Sequence, residues 1–173
     1  MTHILNHNEI FVKEQVRAFK FGNVYDYFDK NKNRLGQARE ENITGFRKLV
    51  KMTSMKWLLP FDFSLYDAED KKVVTLSKRS LFVPKIKIID ENGEMIGKFI
   101  SPFTFLKPKI DVYDANGEKF AQVKGNLVGW TFKIMKDDEQ IGQVTKKFAG
   151  LAKEYFTTAD NYLFQYEDKK YTE

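Results

Sequence analysis

Apolar and polar residues alternate with a period of two along most of this chain, and four times the alternation stops at an aspartate. Tyr25 and Tyr27 precede Asp29, Phe63 and Leu65 precede Asp67, Ile86 and Ile88 precede Asp90, and Ile110 and Val112 precede Asp114. Seven positions after each aspartate stands Gly36, Val74, Gly97 or Ala121. An alternating run, a turn residue and a second run form the pattern of a β-hairpin. Asn92-Gly93 and Asn116-Gly117 reinforce two of the turns, because glycine supplies the positive φ that a tight hairpin needs. A fifth, degenerate unit has Phe132 and Ile134 alternating, Asp137-Asp138-Glu139 turning the chain and Ile141-Gly142 opening the return. Asp67, Asp90 and Asp114 are spaced 23 and 24 residues apart, a regularity that predicts a closed or sandwiched all-β body.

Around these hairpins the pattern places a first strand over residues 9–15 and a last one over 162–166, with residues 1–8 as a flexible tail before a single domain over 9–173. Ile43 to Leu59 breaks the alternation. Phe46, Leu49 and Val50 share a helical face there, with Arg47, Lys48 and Lys51 mostly on the other, which predicts a short basic amphipathic helix. Gly150 to Tyr155 reads as a turn or a second short helix. The expectation is therefore a mainly antiparallel all-β body, closed as a barrel or sandwiched, of ten to twelve strands with one or two short helices. The inward positions before the turns, Phe63, Leu65, Ile86, Ile88, Ile110 and Val112, would line its lumen.

Composition narrows the chemistry more than it identifies it. With 173 residues the chain fits one domain, and 15% aromatic content leans towards sheet. The absence of cysteine excludes disulfides, thiolate metal sites, thiol nucleophiles and palmitoyl anchors. No apolar run approaches 18 residues and the N-terminus lacks an apolar signal region, so the expected location is cytoplasmic, at most peripheral to a membrane. The net charge of +5 reads as an ordinary mixed surface, since acids stand between the basic residues along the chain. Arg47, Lys48, Lys51 and Lys56 lie beside Phe46, Met52, Met55 and Trp57, a mixture that suits an anionic lipid surface; the alternative is a helix that caps one barrel end with solvated lysines. Asp29, Asn31, Asn33 and Glu40 fall on calcium-loop positions of an EF-hand, but Arg34 replaces the required glycine and the flanks read as strands, so Asp29 is expected to be a turn residue. The two histidines, His3 and His7, fall in the tail. No nucleophile–base pair, phosphate loop or zinc motif can be assembled, and a non-enzymatic protein is expected.

One stretch is more specific than the hairpins. After Gly142 come the basic pair Lys146-Lys147, Phe148, Gly150, Glu154 and then Thr157-Thr158-Ala159-Asp160-Asn161-Tyr162. Together with Leu59-Pro60-Phe61 before Asp67, and Ile88-Ile89-Asp90 before Gly93, Ile96 and Gly97, this resembles the phospholipid scramblase family over roughly residues 9–168. The resemblance implies the tubby-like fold, shared with the plant LURP-one-related proteins, in which about twelve antiparallel strands close around a hydrophobic C-terminal helix. The chain departs from the eukaryotic family pattern in lacking a Pro-rich N-terminal region and a palmitoylated cysteine stretch. The family's calcium segment maps onto Asp160, Glu167 and Asp168, where lysines follow; calcium is expected to bind weakly at best, and no other cofactor is implied. The family's central helix would begin near Lys169–Glu173, so the expectation is a barrel without it. Three readings follow: a module binding anionic phospholipid or a partner, a carrier of a hydrophobic ligand, helix or peptide in the lumen, and, ranked last, a nucleic-acid-binding protein.

Overall fold

The structure is a computed structural model that describes residues 6–15, 23–41, 60–80, 85–101, 108–126, 130–146 and 161–167. The alternating segments become twelve strands: β1 (Glu9–Glu14), β2 (Val24–Phe28), β3 (Arg34–Glu41), β4 (Phe61–Asp67), β5 (Lys72–Lys78), β6 (Lys85–Asp90), β7 (Met95–Ile100), β8 (Lys109–Asp114), β9 (Lys119–Asn126), β10 (Thr131–Lys136), β11 (Glu139–Thr145) and β12 (Asn161–Tyr166). They form a closed antiparallel barrel in sequence order, with β1 pairing to both β2 and β12. Closure leaves no open sheet edge. Among the described residues there is no α-helix. The helices expected over Ile43–Leu59 and Gly150–Tyr155 lie outside them.

The aspartate repeat sets the turns. In the first four hairpins its backbone N–H donates to the carbonyl four residues on, at 2.9–3.0 Å, and its own carbonyl accepts from the N–H three residues on. One carboxylate oxygen takes the N–H of that fourth residue, at 2.8 Å for Asp29, 2.7 Å for Asp67, 2.8 Å for Asp90 and 2.8 Å for Asp114. The residue three after the aspartate must adopt positive φ. Glycine does so at Gly93 (87°) and Gly117 (86°), but Lys32 (69°) and Asp70 (63°) hold the same place in the other two turns. Each turn is followed by a one-residue bulge, so that Gly36 faces Tyr27, Val74 faces Leu65, Gly97 faces Ile88 and Ala121 faces Val112. The fifth unit repeats the bulge, with Gly142 facing Ile134. Where glycine holds this place it has a steric reason: a Cβ on Gly97 would sit 2.7 Å from the Tyr113 carbonyl oxygen, and one on Gly142 2.7 Å from that of Gln165.

Register carries one apolar face around the whole barrel. Ile10 faces Phe164, Phe164 faces Val144, Val144 faces Phe132, and the row continues through Val123, Ile110, Val112, Phe99, Ile86, Ile88, Leu76, Phe63, Leu65, Ala38 and Tyr25. Its most buried part joins Ile10, Tyr27, Leu35 and Ala38, with Val12, Tyr25, Phe63, Leu65 and Phe164 packed against them. The six residues expected to face the lumen all lie on this face, and all six are half-buried.

Candidate functional site

The outer face of β6–β10 is built from the alternate positions of five neighbouring strands. Lys85, Lys87, Lys98, Lys109, Lys119, Lys124 and Lys133 lie on it, against one carboxylate, Asp111. Register brings the lysines together: Lys87 is directly opposite Lys98, and Lys109, Lys124 and Lys133 form a row across three strands. Opposed residues on adjacent strands have Cβ atoms about 5 Å apart, and like charges so placed repel. Asp111 is already committed, with Lys119 Nζ at 2.7 Å and the Gln122 amide donating to the same oxygen. The Lys119 ammonium, with help from Gln122 and Lys109, holds the Asp111 carboxyl below the usual range against an opposing desolvation. None of the other six lysines makes an ion pair with a described carboxylate within 4 Å.

The contrast with the opposite wall is physical. On β2–β5 the outward arginines are matched: Arg39 pairs with Asp70 at 3.1 Å and lies 3.7 Å over the Tyr66 ring, Arg79 pairs with Asp62 at 3.0 Å, and Arg34 with Asp26 at 3.4 Å. Asp62 also accepts the Ser77 hydroxyl at 2.7 Å, and Ser64 and Thr75 share a hydrogen bond at 3.1 Å. Many of the remaining acids sit in hairpin turns (Glu91, Glu94, Glu118, Asp137 and Asp138), and Asp137 and Asp138 line a shallow cavity with Lys119, Phe120, Lys124 and Lys136 at one end of the wall. Sequence order interleaves the two signs; the fold gathers lysines from five strands on one face.

The residues first singled out fare differently. Arg47, Lys48, Lys51 and Lys56, with the helix expected to carry them, lie outside the described residues, as do Asp160 and Asp168. Glu167 is exposed, accepts a hydrogen bond from Gln140 and donates its own N–H to the Ile141 carbonyl at 3.0 Å. Asp29 is buried within its own turn, where Asn31 and Asn33 N–H groups each donate at 2.8 Å and the Asn33 amide at 2.9 Å. Burial works to raise its pKa, but these donors outweigh it and hold the carboxyl low. No group of three or more His, Asp or Glu side chains among the described residues is arranged to hold a metal ion. No described helix is long and apolar enough to cross a membrane.

A closed antiparallel meander of twelve strands is the form of a tubby-like barrel. A solved Arabidopsis thaliana protein shares it at a TM-score of 0.55 and 16% identity, covering 91% of this chain and 80% of that one. The scramblase family matches residues 1–169, and the chain belongs to that family. No curated protein gives a significant match.

Proposed function

We propose that this scramblase-family barrel is a non-enzymatic domain that docks on a membrane surface bearing anionic phospholipid, through the outer face of β6–β10. The observation that carries the reading is the lysine row Lys109–Lys124–Lys133 beside the opposed pair Lys87–Lys98. Like-charged cross-strand neighbours cost stability in a free protein. An anionic surface turns that cost into attraction, worth about 1 kcal/mol per lysine brought within a Debye length. A cytoplasmic, peripheral location belongs to the same reading. Sedimentation with vesicles tests it: binding should rise with the fraction of phosphatidylserine and fall steeply from 50 to 500 mM salt. Equal binding to neutral and anionic vesicles would refute it.

A second reading rests on the inner face. Phe63, Leu65, Ile86, Ile88, Ile110 and Val112 are half-buried although they lie on the apolar side of a closed sheet. Burial of apolar surface is the main stabilising term of a fold, and a lumen lined in this way suits a hydrophobic helix, peptide or lipid chain. Native mass spectrometry of the purified protein, which reports any bound mass, distinguishes the two.

A further inference from the structure

Three large apolar side chains stand exposed on the lysine wall: Phe120 (45%), Ile96 (47%) and Met95 (39%). They occupy the bulges of two neighbouring hairpins, since Ile96 and Phe120 are the residues skipped in the β6–β7 and β8–β9 pairings. The same place in the β2–β3 and β10–β11 hairpins holds Leu35 and Ile141, which are buried to 5% and 4% exposure. The repeat therefore puts an apolar residue at this point as a rule; of the three other sites two are covered and the third, Val73 on β5, is half-buried. Only on the two hairpins of the basic wall does it project. Lysines flank each: Lys136 Nζ lies 4.5 Å over the Phe120 ring, and Lys98 follows Ile96 by two residues. Apolar knobs framed by long cationic side chains match the boundary between lipid headgroups and acyl chains, where stems lie in the apolar layer and ammoniums reach the phosphates.

We propose that the barrel lies on its side against an anionic bilayer, with Phe120, Ile96 and Met95 inserted at the headgroup–acyl boundary and the lysine rows spread over the headgroups around them. The pose rests on the membrane-docking reading above and adds its orientation and its apolar contacts. The acidic turn residues Glu94 and Glu118, and Asp137 and Asp138 in the cavity beside Phe120, border the contact, and the lysines around them outnumber them. Charge complementarity favours a bilayer, and the projecting apolar groups distinguish it from a nucleic acid, which offers phosphates but no layer to receive them.

The cysteine-free chain makes the test direct. Ile96→Cys and Phe120→Cys, each labelled with an environment-sensitive dye, are compared with Lys30→Cys in the β2–β3 turn, using vesicles of phosphatidylcholine with 30% phosphatidylserine. The expected result is a blue shift and quenching by brominated acyl chains at 96 and 120 but not at 30. A protein that sediments with vesicles while neither 96 nor 120 shifts is held by charge alone, which overturns the pose and leaves the docking reading standing. A shift at 30 alone overturns it too, and no sedimentation at low salt removes both. In the unlabelled protein, Ile96→Ser with Phe120→Ser should weaken partitioning about 30-fold at high salt, from the exposed portions of the two side chains. Unchanged thermal unfolding shows that the fold is retained. Release from vesicles by a short nucleic acid that binds more tightly at physiological salt would also overturn the proposal.

Discussion

Lys124 is the centre of the lysine row, and reversing its charge should move stability and membrane affinity in opposite directions. It is exposed and faces Lys109 on one side and Lys133 on the other. At about 0.3 kcal/mol per exposed like-charge contact, the low end of cross-strand values, Lys124→Glu removes about 0.6 kcal/mol of repulsion and adds a similar attraction. The expected gain is about 1 kcal/mol, or 2–4 °C in Tm for a chain of this size. On an anionic vesicle the same substitution changes the local charge by two and should cost about 2 kcal/mol, close to a 30-fold loss of partitioning. Urea unfolding at 20 mM and 1 M salt, beside vesicle sedimentation, reads both. The stability gain should shrink at 1 M salt, where the screening length falls to about 3 Å. A variant that is less stable than the wild type at low salt would refute the idea that these lysines repel, and with it the argument that the wall awaits an anionic partner.

Three further outcomes follow from the turns. Lys32→Gly should stabilise by about 0.5–1 kcal/mol in chemical denaturation, because φ of 69° strains a side chain that glycine lacks, less glycine's greater unfolded-state freedom. Gly97→Ala should destabilise by about 1–3 kcal/mol, since its Cβ would meet the Tyr113 carbonyl at 2.7 Å. Asp29, Asp90 and Asp111 all titrate below a free aspartate, so their contribution is complete above about pH 5 and is lost as pH falls through 3.9 towards their own lower values. Asp29→Asn, which can still accept in the turn, should flatten the acid limb of a stability–pH profile; an unchanged limb would count against the turn carboxylates as its source.

The barrel was legible because its signals are local. Asp29, Asp67, Asp90 and Asp114 each organise four consecutive residues, and period two assigns Phe63, Leu65, Ile86 and Ile88 to one face without any knowledge of the neighbours. The basic wall was not legible for the converse reason. Lys109 and Lys124 are opposed only because β8 and β9 pair in one register, and Lys133 joins them only through a second pairing. Along the sequence they are separated by Asp111, Asp114 and Glu118, which made the charge look evenly mixed. Phe120 was hidden in another way: its exposure depends on a bulge, which breaks the parity that sequence patterning relies on.

The seam between β1 and β12 sets how this chain must acquire its shape. Eleven of the twelve pairings join strands that follow one another, but Glu9 lies opposite Gln165, and Gln165 donates to it at 2.9 Å across 156 positions. The sheet can grow hairpin by hairpin during synthesis, yet it carries two unpaired edges until the final strand emerges. Loop closure over such a span delays the last step, and a ribosome-bound or truncated chain would present those edges to its neighbours. Linking the ends near Asn8 and Glu167, which meet where Tyr166 N–H reaches the Asn8 carbonyl at 2.8 Å, and opening the chain at Asn116 would turn that clasp into a short-range hairpin. Such a permutant should fold faster and aggregate less while keeping the same wall and lumen.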